Sequence, residues 1–192
     1  MNLIRLFLLI VLGLITSSCQ QFQEECREDL VMIHNIMNDH IRHMKDEYQI
    51  KAIMSGGGFM DDINKVGFGF SCTEKGSIEL ARKLIVYGTE KLLKEINDSE
   101  EIRPYLHNFP FTAENIRYGV TFFDENFKIQ QKVVAHALLM IGTISYSIDG
   151  PPEKPGYQDV LEETYEEALE IVRRDYPGLL KQLDKNNGES FQ

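Results

Sequence analysis

The chain has 192 residues, 43% of them hydrophobic and 26% charged, with 30 acidic against 20 basic side chains and a formal net charge of −10. Neutralising phosphates takes clustered lysine and arginine, yet the densest basic cluster is the pair Arg173 and Arg174. Charge therefore argues against nucleic acid as a partner and against direct adhesion to anionic lipid.

Residues 1–19, MNLIRLFLLIVLGLITSSC, place one early cation, Arg5, before an apolar run over residues 6–15, then Thr16, Ser17 and Ser18 before Cys19. That layout is an export leader, or signal peptide. A membrane-crossing helix needs roughly 20 apolar residues, more than this run supplies, so a permanent span is not expected. The leader resembles that of bacterial lipoproteins, whose processing leaves a lipidated cysteine at the new amino terminus. The resemblance implies loss of residues 1–18 and a lipid on Cys19 as the membrane anchor. Because Gln20 rather than an aspartate follows, it also implies an outer membrane in a cell that has one. Thr16 stands where the family favours an aliphatic residue, so ordinary secretory cleavage near Ser18 is the alternative.

Removing the leader leaves about 173 residues, enough for a single domain that buries a core without staples or metals. Residues 19–25 read as a tether, 26–183 as the domain and 184–192 as a polar, flexible tail. With Cys19 lipidated, Cys26 and Cys72 are a candidate disulfide in an oxidising compartment. Closing that loop adds about 4 kcal/mol of stability on the chain-entropy view. Equally, Cys72 fits a small buried apolar residue on a strand and Cys26 an exposed thiol.

Leu30, Ile33, Met37, Ile41, Met44 and Tyr48 recur at intervals of three and four, one face of a first helix. Two extended runs then flank a glycine-rich connection, and Val66, Phe68, Phe70 and Cys72 alternate with Gly67, Gly69 and Ser71. Gly76 and Ser77 mark the start of a second helix with Ile78, Ala81, Leu84, Ile85, Gly88, Leu92 and Ile96 on its stripe. The connection EIRPYLHNFPFT is too apolar at Tyr105, Leu106, Phe109 and Phe111 for a solvated loop and is expected to lie over the core. A strand follows with Ile116, Tyr118, Val120 and Phe122 inward, then a turn at residues 124–126. Residues 132–148 are β-prone, and a straight strand of that length would exceed about 50 Å, so a bend or bulge is expected near Gly142. Beyond the break at 149–156, residues 157–174 read as an acidic helix with early glutamates and late arginines suited to its dipole. The order α-ββα-ββα predicts an α+β domain with a four-stranded, mainly antiparallel sheet packed by helices.

Ser55, Gly56, Gly57 and Gly58 form the most unusual local run. Successive glycines can turn backbone N–H groups onto an anion or oxyanion, but no lysine and hydroxyl complete a phosphate loop and no G-x-S-x-G turn is present. A hairpin connection or close backbone packing explains the run equally, and Asp61 and Asp62 read as turn or capping residues. His40 and His43 share a helix face that, with Asp39 or Glu47, suits metal ligation, but the pattern is not H-E-x-x-H and no metal or cofactor is assigned. Arg103 and His107 lie within the apolar connection, around Pro104, and His136 falls on a predicted strand. The arginine suits a carboxylate and either histidine a general base, while Arg103 as a helix cap and His136 as a sheet residue are the structural alternatives. The bare strand face of Gly67, Gly69 and Ser71 suits either close packing against Ala81 and Gly88 of the second helix or a protein partner.

No complete catalytic signature is present. The expected function is a non-enzymatic, envelope-anchored binding or assembly module. The alternative is a small exported hydrolase that uses Gly56, Gly57 and Gly58 with a histidine base.

Overall fold

The computed structural model describes residues 27–185. Cys19, Cys26, the leader and the end of the tail lie outside the described residues. No described helix is long and apolar enough to cross a membrane.

Helix α1, Glu28–Tyr48, begins with Glu28 and Asp29 in its first turn, where carboxylates favour the helix dipole, and stops at Gln49 in the left-handed region (φ 56°). Its buried face runs through Ile33, Met37, His40 and Met44, so a histidine takes a position in the apolar stripe. Strands β1, Lys51–Gly58, and β2, Lys65–Cys72, are antiparallel. Helix α2, Ile78–Asp98, starts at Ser77, whose hydroxyl accepts from the Leu80 N–H at 3.1 Å. It buries Ala81, Leu84, Ile85, Gly88, Leu92 and Ile96 of the stripe its periodicity predicts, and leaves Ile78 half-buried at its first turn.

Two short 3₁₀ turns, Arg103–Tyr105 and Ala113–Asn115, lead to β3, Ile116–Phe122. This connection covers the core only in part. Ile102 and Phe111 are buried, whereas Tyr105 and Phe109 are exposed. The Phe109 ring instead carries the Arg103 guanidinium, 4.5 Å from its centroid.

The sheet departs from the four-stranded expectation. It has six strands in the order β1-β2-β3-β4-β5-β6. The stretch over residues 132–148 is not one bent strand but a hairpin, β4, Val134–Met140, and β5, Thr143–Asp149. Ile141 (φ 51°) and Gly142 (φ 70°) both adopt positive φ, the conformation a two-residue hairpin turn requires. The expected helix over 157–174 is also corrected. Its first part is β6, Tyr157–Thr164, paired with the free edge of β5, and helix α3 spans only Tyr165–Asp175. Thr164 and Glu167 form a reciprocal capping box at that boundary. A short α4, Lys181–Lys185, follows.

Four of the five strand pairings are antiparallel. β2 and β3 run parallel, joined by the crossover through α2. The three long described helices pack on one side of the sheet. Tyr118 of β3 meets His40 of α1 and packs against Gly88 of α2, while Glu163 of β6 is bonded by Arg82 of α2. Phe68, Phe70, Val120, Phe122, Ile144 and Tyr146 project into this layer and are buried. No described element covers the other side of the sheet.

Candidate functional site

Side chains on a strand alternate between the two sheet faces, and the register brings one polar row across the helix-free face of all six strands. Lys51 pairs with Ser71, Ser71 with Thr121, Thr121 with His136, His136 with Ser147, and Ser147 with Asp159. Hydrogen bonds tie the row together. Ser71 Oγ donates to Lys51 O at 3.3 Å, Thr121 Oγ1 lies 3.0 Å from His136 Nδ1, and Ser147 Oγ donates to Asp159 Oδ1 at 2.6 Å. The His136 ring stacks on Tyr157, with centroids 4.8 Å apart and planes 19° apart. Burial, and then the charge of Arg117, push the His136 pKa below 6.5, with Asp159 opposing. The imidazole is therefore neutral at pH 7, and in the tautomer protonated on Nε2 its Nδ1 accepts from the Thr121 hydroxyl.

Beside this row the face is floored by small residues. Gly67, Gly69 and Ser71 do not face α2, as close helix packing would require; they lie on the open side, with Gly119 of β3 paired to Gly69. The groove in α2 at Gly88 receives Tyr118 instead. A Cβ added at Gly88 would stand 2.2 Å from the Tyr118 hydroxyl oxygen.

The run Ser55 to Gly58 is the second half of β1, not a connecting loop. Its glycines have separate roles. A Cβ on Gly57 would stand 2.2 Å from Lys65 O and 2.3 Å from the Phe59 ring, and one on Gly58 would stand 2.1 Å from Asn64 Oδ1. Gly56 has nothing within 4 Å of that position. Gly56 instead borders a groove of about 330 Å³ whose lining includes Met54, Asn64, Lys65, Gly67 and Arg117.

The other candidate residues lie elsewhere. His107 Nδ1 is 2.7 Å from Asp62 Oδ2 in an exposed pair beside the Ile63–Leu106 bridge. Arg103 donates to Asn97 O at 3.3 Å, near the end of α2, as a capping residue does. Neither His107 nor His136 lines the Gly56 groove. His40 and His43 are turned into the helix packing. His40 Nδ1 lies 3.3 Å from Glu95 Oε2 and Nε2 lies 3.2 Å from the Tyr118 hydroxyl, while His43 Nε2 lies 2.9 Å from the Tyr87 hydroxyl. Burial lowers the His40 pKa. A neutral ring donating from Nδ1 and accepting at Nε2 satisfies both of its partners. Cys72 is buried on the helix side of β2, and burial raises its thiol pKa.

Thr121, Ser147, Tyr157 and Asp159 escape the sequence reading, as does the role of Arg117. The available signal was the period-two alternation of Arg117, Gly119 and Thr121 opposite the buried residues of β3, but strand order and register are needed to assemble a row. No model of a known protein family, no curated protein and no solved structure matches this chain.

Proposed function

We propose that this protein is a non-enzymatic binding module held at the cell envelope by a lipid on Cys19, with the helix-free sheet face as its binding surface. The observation that carries the reading is the polar row Lys51, Ser71, Thr121, His136, Ser147 and Asp159 beside a glycine floor, on a face that no described element covers. An ordinary half-solvated sheet face carries long polar side chains. Here the row is short-chained at Ser71, Thr121 and Ser147, and the backbone borders an open groove at Gly56 and Gly67, while Met54 and Leu138 lean over Gly69 and Gly119.

The hydrolase alternative draws on the Thr121–His136 contact, a hydroxyl beside a neutral base. It needs oxyanion donors at the same point. The glycine run lies on β1, two strands from Thr121, and Gly56 is in register with Arg117, four residues before Thr121, so the separation is roughly 16 Å, and two of its three glycines are packed against Phe59, Lys65 and Asn64. Binding without chemistry is the reading this separation favours.

Two measurements test it. Labelled palmitate should enter the wild-type protein and be lost in Cys19→Ser; label retained in that variant refutes the anchor. Photo-crosslinking residues placed at Ser71 and Thr121 should give adducts in the envelope fraction that the same residue at Asp39, exposed on α1, does not. Equal yields from both sides of the molecule refute the binding face.

A further inference from the structure

Six of the seven described arginines are engaged within the protein. Arg27 pairs with Asp29, Arg42 with Asp39, Arg82 with Glu163, Arg173 with Glu90 and Arg174 with Asp175, while Arg103 stacks on Phe109. Among the described arginines Arg117 alone has no ion pair, hydrogen bond or ring contact with the described residues, in a chain with 30 acidic residues. Arg117 lines the Gly56 groove together with Lys65, and no described acidic side chain lines it. Two cations in one concavity of an acidic protein, both left without a carboxylate, mark a place where the carboxylate comes from outside.

Resting on the reading of this face as the binding surface, we propose that the Gly56 groove binds a small organic carboxylate. The carboxylate lies on the Arg117 guanidinium and Lys65 ammonium, and its apolar part lies against Met54. The guanidinium fork matches the two oxygens of a planar carboxylate. A phosphate would need further donors, and the floor has few to offer: β2 is flanked on both sides, so its N–H groups are committed to β1 and β3. Gly67 brings the backbone close beneath the arginine stem, since a Cβ there would stand 3.3 Å from Arg117 Cβ. Met54 lies along Gly69, its methyl carbon 3.6 Å from where a Cβ on that residue would be, and forms an apolar wall. A volume of about 330 Å³ sits at the small end of ligand sites. It suits an aryl or medium-chain aliphatic acid and is too small to enclose a long-chain lipid.

The test is an amide NMR titration of the full-length protein with octanoate, neutral octanamide and inorganic phosphate. Octanoate should shift the Gly56, Gly67 and Arg117 amides saturably, with octanamide and phosphate at equal concentration giving at least tenfold weaker binding. Arg117→Gln should weaken octanoate at least tenfold, Arg117→Lys should fall between, and Arg42→Gln should match wild type. Gly56→Val, whose Cβ meets no atom within 4 Å, should block the groove while the remaining amide spectrum is preserved. Phosphate binding as tightly as octanoate, an Arg117→Gln variant that binds octanoate like wild type, or no saturable shift with octanoate overturns the assignment. If that happens while Ser71 and Thr121 still crosslink selectively, the carboxylate assignment falls alone; loss of that selectivity removes the binding face itself.

Discussion

Substituting each glycine of the 56–58 run by alanine separates packing from open space on three adjacent residues. At Gly57 the new methyl would lie 2.2 Å from Lys65 O, a backbone atom, and 2.3 Å from the Phe59 ring. Ordinary contact needs about 1 Å more, so either the β1–β2 ladder shifts or the ring leaves its site. Overpacking of this kind costs about 1–3 kcal/mol, and a clash with backbone places Gly57→Ala near the top, at about 3 kcal/mol. At Gly58 the obstacle is the Asn64 side-chain oxygen, 2.1 Å away. That group can rotate, at the expense of its packing, and the cost falls to about 1 kcal/mol. Gly56→Ala meets nothing within 4 Å, and by restricting the unfolded chain it should be neutral or stabilising by about 0.5 kcal/mol. Urea unfolding read from midpoints at constant slope measures all three. With about 2–4 °C per kcal/mol for a domain of this size, Gly57→Ala should melt roughly 6–12 °C below wild type. Equal losses at all three positions, or a Gly56→Ala as damaged as Gly57→Ala, would refute the division of the run into packed and open glycines.

Acid should destabilise the fold before the carboxylates titrate. Burial holds His40, His43 and His136 below 6.5. The unfolded chain therefore binds more protons than the folded one below that pH, and stability, complete above about 6.5, declines as pH falls toward the folded pKa values. Urea midpoints that stay flat or rise from pH 7 to pH 5 would contradict this. Glu163→Gln should cost about 3 kcal/mol, because the side chains of Arg82 and Glu163 are only 14% and 9% exposed and the guanidinium would lose its charged partner. Replacing both residues by methionine should recover most of that loss in thermal melts. Thr164→Ala removes the reciprocal cap between Thr164 and Glu167 at the start of α3 and should cost about 1 kcal/mol, read by the same melts.

Local periodicity made much of this molecule legible. The stripe of α2 and the inward residues of β2 and β3 follow from apolar spacing, because burying one face of a helix or strand imposes a period of 3.6 or 2 whatever the partner. Where one residue type serves two conformations, periodicity was insufficient. The segment at 157–164 carries Leu161, Glu162 and Glu163 ahead of an acidic helix and reads as part of it, but the free edge of β5 recruits it as β6. The Thr164-x-x-Glu167 capping box was a local signal of the true helix start. Ile141-Gly142 lacks the asparagine or aspartate that usually marks a tight hairpin, so a hairpin was read as one bent strand. The candidate site lay further out of reach. Thr121, His136, Ser147 and Asp159 are far apart in sequence, and only strand order and register, set by burial of the opposite face, place them in one row. That Arg117 has no partner among the described residues is likewise a tertiary fact, visible only once every other described arginine has been matched to its acid or its ring.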